Sequence, residues 1–83
     1  MHEAGVAERI LEAVLARAAL ARAARVTAIE LEAGDASGVS GEAVTFHWAE
    51  AARGTIAEGA ALRIIPVDDP TAFRLVAIEV PDG

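Results

Sequence analysis

Eighty-three residues are enough for one compact domain with one core, and the 54% hydrophobic content (mean hydropathy +0.39) owes much to alanine, which adds helix propensity but little buried area. A formal net charge of −6, from thirteen acids against seven arginines and no lysine, disfavours nucleic acid and anionic lipid as partners. The lack of cysteine excludes disulfides, thiolate catalysis and any cysteine-ligated zinc or iron–sulfur site within these residues.

From about Glu3 to Ala24, Val6, Ala7, Ile10, Leu11, Val14, Leu15 and Ala18 recur at three- and four-residue spacing, which predicts an amphipathic helix. Glu3, Glu8 and Glu12 come early in it and Arg17, Arg22 and Arg25 late, the order that complements the helix dipole. Between Arg25 and Gly34 the pattern becomes alternation, with Ile29, Leu31 and Ala33 on one face and Glu30 and Glu32 on a solvated one, as in a half-buried strand. Gly34 to Gly38 is turn chemistry. Ser40 is placed to cap a second helix that carries Glu42 in its first turn, sets Val44, Phe46 and Trp48 as core anchors, and stops near Arg53 with Gly54. Ala61 to Ile65 and Phe73 to Val80 read as two further strands, and Pro66 to Ala72, with two prolines and two aspartates, reads as a short loop between neighbours. The expected fold is a two-layer α/β (α+β) sandwich of order α-β-α-β-β, a single domain over residues 1–83 with both helices on one face of a three-stranded sheet.

The start, Met-His-Glu-Ala-Gly, is not basic, and no apolar run approaches the roughly 20 residues that cross a bilayer, so the cytoplasm is the expected compartment. No catalytic constellation is visible: there is no thiol nucleophile and no Schiff-base lysine, and Ser37 and Ser40 lack a companion histidine, so an enzyme is not expected. Imidazole is confined to His2 and His47. A terminal amine, the amide nitrogen of residue two and its imidazole can close adjacent chelate rings on one metal, with the Glu3 amide or carboxylate as a fourth donor. Such nitrogen-rich, square-planar coordination suits Ni(II) or Cu(II). Taken alone, His2 reads as a solvated terminal residue without function. His47 reads as a core-edge histidine, and Asp68 and Asp69 as loop residues.

The start Met1-His2-Glu3, the segment Gly34-Asp35-Ala36-Ser37-Gly38-Val39, the stretch Ala52 to Ala60 and the last strand Arg74 to Val80 fall in the same order and at matching intervals as in the HypA family of hydrogenase maturation proteins, which this chain resembles. The resemblance implies a nickel metallochaperone that delivers Ni(II) to the large subunit of a [NiFe]-hydrogenase, or to urease, together with a maturation GTPase. It assigns the metal to Met1, His2 and Glu3. Two departures bear on that expectation. The family's zinc ribbon, with paired Cys-x-x-Cys motifs between its last two strands, is replaced here by Val67 to Ala72, so no zinc site is expected. A carboxylate that relatives often carry just after the Ser-Gly-hydrophobic segment is Ser40 here, leaving Asp35 or Glu42 as the nearest acids.

A second reading keeps the fold without the metal: an adaptor that docks on the GTPase, a hydrogenase precursor or a zinc-containing paralogue. A third is a homodimer formed through the edges of the short sheet.

Overall fold

A computed structural model describes residues 3–35, 37 and 41–81. It contains α1 (Glu3–Leu20), β1 (Ala28–Ala33), α2 (Gly41–Ala52), β2 (Ala61–Pro66) and β3 (Phe73–Glu79). The sheet order is β2-β1-β3, with β1 parallel to β2 and antiparallel to β3. Both helices line the face formed by Ile29, Leu31, Leu62, Phe73, Leu75 and Ile78, and one core joins them. Val14, Ala18, Val26, Ile29, Leu31 and Val44 are fully enclosed in it. Each of the larger aliphatic side chains adds about 1.5–3 kcal/mol by leaving water. The opposite face is polar: Arg74 pairs with Glu32, and Arg63 reaches from β2 to Glu79 on β3 across the small side chain of Ala28.

α1 stops four residues earlier than its alanine-rich pattern suggests. The Ala23 amide donates to Ala18 O at 2.9 Å and the Arg22 amide to Ala19 O at 3.1 Å, a Schellman closure with Arg22 in the left-handed region at φ 54°. α2 ends as expected, with Gly54 at φ 79° just beyond it. Trp48 is buried and donates its indole N–H to Ala60 O at 3.1 Å, tying α2 to the start of β2. Phe46, expected in the core, is instead 64% exposed. It lies two residues from both Val44 and Trp48, about 200° around a helix that advances about 100° per residue, so the three cannot share a face. Ser40, the expected cap of α2, lies outside the described residues.

β2 and β3 are not neighbours, as the loop reading had them; they flank β1. Because β2 follows β1 through a helical crossover it runs parallel to it, and the chain then crosses the end of β1 to reach the far edge. The crossing is pinned by Gly34 N–H donating to Ala72 O at 2.9 Å, and a Cβ on Gly34 would sit 2.0 Å from Asp69 O and 2.5 Å from the Pro70 carbonyl carbon. Asp69 shapes the turn by accepting from the Thr71 amide (3.1 Å) and hydroxyl (3.0 Å). In β3 the register slips between Glu30↔Ala77 and Leu31↔Leu75, leaving Val76 as a bulge. That slip lets Phe73 and Leu75 before it, and Ile78 after it, all face the core.

Two stability changes follow. Gly34→Ala meets backbone on both sides, so it is expected to cost about 3 kcal/mol, the upper end of overpacking penalties, read as a lower midpoint in urea. Arg22→Gly relieves a left-handed residue and is expected to stabilise by about 0.5–1 kcal/mol, raising Tm by several degrees in a domain of this size.

Candidate functional site

The candidate metal residues stand at the start of α1. Met1 and His2 lie outside the described residues. Glu3 is the first residue of the helix. Val6, Ala7 and Ile10 are buried in the first two turns, so the terminus departs from a helix that is fixed to the core within one turn of Glu3. The other end of α1 is fixed by Arg17, which donates to Val76 O at 2.7 Å and Leu75 O at 3.3 Å. These are the carbonyls at the β3 bulge, where ladder pairing lapses. The sequence marks Arg17 only as a late cation in the helix; its partners are 58 and 59 residues away, and no local pattern announces them.

The remaining titratable side chains do not assemble a metal centre: among the described residues no three His, Asp or Glu side chains converge to hold an ion. His47 is half-buried on α2, with its ring edge-on to Phe46 at 5.2 Å, and shares a depression of about 240 Å³ with Glu8 and Glu50. Asp35 and Glu42, the acids nearest the segment where relatives often carry a carboxylate, are exposed. Asp68 and Asp69 are loop residues, as their setting between prolines indicates, and Glu32 is taken by Arg74.

One cleft near the start of α1 was not visible in the sequence. It measures about 400 Å³ and runs between α1 and β3, lined by Val6, Ile10, Leu31, Phe73 and Leu75, with Arg9 and Arg74 also contributing. The Ser37 hydroxyl oxygen faces the same space, buried and without a hydrogen-bond partner among the described residues. The lining comes from α1, β1, the turn at Ser37 and β3, four separate segments, so no single stretch of sequence carries its signature.

The family described as "Hydrogenase/urease nickel incorporation, metallochaperone, hypA" matches residues 1–71. Curated relatives agree. The hydrogenase maturation factor HypA of Chlorobium phaeobacteroides (strain BS1) is 43% identical over 68 residues, covering 82% of this chain and 60% of that protein. That of Prosthecochloris aestuarii is 44% identical over 70 residues (83% and 62%), and that of Dechloromonas aromatica 43% over 67 residues (81% and 59%). The chain thus spans about three fifths of the length of the curated relatives it matches. No helix among the described residues is long and apolar enough to cross a membrane.

Replacing Arg17 by Met keeps its apolar stem and removes both donors to the bulge. These carbonyls are exposed and can bind water instead, so the expected cost is about 1 kcal/mol. Hydrogen exchange should report it as faster exchange in β3 and the C-terminal turns of α1 than in α2.

Proposed function

We propose that this chain, which belongs to the HypA family of hydrogenase and urease nickel-incorporation proteins, carries Ni(II) at Met1, His2 and Glu3 and passes it to the precursor of a nickel enzyme. The carrying observation is that the family match begins at residue 1 and so includes the Met-His-Glu start. In this reading the donors are the Met1 amine, the His2 amide nitrogen and imidazole, and a group of Glu3. The fold supports it in a specific way. Glu3 opens α1, and the first four N–H groups of a helix have no intrahelical acceptor. The amides of residues 2 and 3 can therefore release their protons to solvent and bind a metal in their place without breaking a helical hydrogen bond.

The client is a [NiFe]-hydrogenase large subunit or urease, the helper is a maturation GTPase, and the setting is the cytoplasm. The protein acts as a carrier rather than an enzyme, because cargo has to be bound and released but not transformed. Affinity for nitrogen donors rises from nickel to copper, so the isolated site is expected to bind Cu(II) more tightly, and selectivity must come from metal supply and docking. A metal-free adaptor is the second reading.

Titration of Ni(II) into untagged protein with a free Met1 amine, beside His2→Ala and His47→Ala, tests the proposal. The expected result is one site per chain with a visible band typical of square-planar nickel, lost in His2→Ala and kept in His47→Ala. Amine and imidazole have ordinary pKa values of about 8 and 6.5 and must be deprotonated to coordinate, so affinity should fall as pH is lowered through that range. A folded protein without such a site would move the assignment to the adaptor.

A further inference from the structure

The seven arginines are not used alike. Arg53, Arg63 and Arg74 pair with Glu50, Glu79 and Glu32, and Arg17 is committed to the bulge carbonyls of β3. Arg22 and Arg25 are exposed and form no ion pair with any described residue. In a chain of net charge −6, three cations therefore gather at the C-terminal end of α1. Amid them Leu20 is 88% exposed, and Val76 and Val80 are 39% and 41% exposed. Two shallow grooves meet at Ala21. One, of about 300 Å³, is walled by Arg22, Arg25 and Val80; the other, of about 550 Å³, by Arg17, Leu20 and Val76.

The dipole of α1 favours cations at this end. It does not call for Leu20, which a polar residue could replace without loss to the core. Nor does it call for arginine at residue 22, where the left-handed backbone favours glycine. An apolar knob between two grooves, ringed by cations, has the make-up of an interaction surface with an apolar centre and a charged rim.

We propose that this end of α1 docks a partner protein through a segment with an apolar ridge flanked by carboxylates. The ridge straddles Leu20 and lies against Val76 and Val80, and the carboxylates meet Arg17, Arg22 and Arg25. Charge selects this occupant over a second copy of the chain, since a two-fold contact through the patch would set the three cations against their own equivalents. α1 has 18 residues, which places the surface about 26 Å from the Met1–Glu3 end. Docking here leaves that end open, and the inference holds for a nickel carrier and a metal-free adaptor alike.

Two synthetic helical peptides with the same leucine ridge, one flanked by glutamates and one by lysines, serve as probes against the full chain. Binding is read by calorimetry at low and high salt and by backbone amide NMR. The glutamate peptide is expected to bind one to one, shift the amides of Leu20, Arg22 and Val80, and weaken about tenfold in high salt, with the lysine peptide at least about tenfold weaker throughout. Arg22→Gly separates binding from stability, because it should raise Tm while weakening the glutamate peptide several-fold. Leu20→Ser should abolish binding with the far-UV spectrum unchanged. Equal binding of both peptides, shifts elsewhere, or no binding overturns the proposal. So does self-association of the free chain that Leu20→Ser removes, which would assign the patch to a second copy.

Discussion

The sheet depends on one close approach, the backbone of Asp69 and Pro70 lying where any side chain on residue 34 would be. With β1 in the centre, the chain leaving β2 must reach the opposite edge, and the short way is over the end of β1. Six residues make that passage. Asp69 turns the chain through its own side chain, Pro70 restricts the backbone, and Ala72 accepts from the Gly34 amide before β3 begins. Glycine is required because two backbones meet there, and the left-handed region plays no part. From that crossing β3 enters antiparallel, its bulge sets Ile78 back on the core side, and the exposed bulge carbonyls become the anchor for Arg17. The passage sets the strand order, and the bulge further along β3 supplies the carbonyls that hold α1.

Periodicity showed which residues face inward in α1 and β1, because a side chain's face is a local property. Strand order is not local. Leu62 and Ile64 would alternate with Arg63 in the same way whether β2 lay beside β1 or beside β3, so the reading of Pro66 to Ala72 as a loop between neighbours had no signal to correct it. The contact that decides the order joins Gly34 to residues 35 and 36 positions later. The end of α1 was obscure for a different reason. Alanine suits either side of a helix boundary, and the boundary itself rests on an arginine doing what glycine usually does. Phe46 shows that hydrophobicity without angular position does not identify a core residue.

The candidate site was legible to a different degree. An imidazole at residue two has the same composition whether it binds metal or only water, so chelate geometry allowed the site without requiring it. The resemblance of four segments in order raised it above that, and the family match over residues 1–71 supports the assignment of the chain to its family. The basic, apolar end of α1 left a fainter trace. Arg17, Arg22 and Arg25 were read from the sequence as partners of the helix dipole, which they can be. Only the exposure of Leu20 and the pairing of the other arginines separate Arg22 and Arg25 from that role.

A dication at the start of α1 faces an electrostatic objection, since the helix dipole places partial positive charge there and disfavours a cation by about 0.3–1 kcal/mol. The donor set proposed for Met1, His2 and Glu3 answers it. Each amide nitrogen that coordinates gives up a proton, so two coordinated amides cancel the charge of Ni(II), and one amide with the Glu3 carboxylate does the same. With that donor set the helix end would meet a neutral complex. Acid reverses this balance, because a reprotonated amide both loses its bond to the metal and restores charge to a site the dipole repels. With that donor set, release by local acidification would be assisted by the dipole of α1.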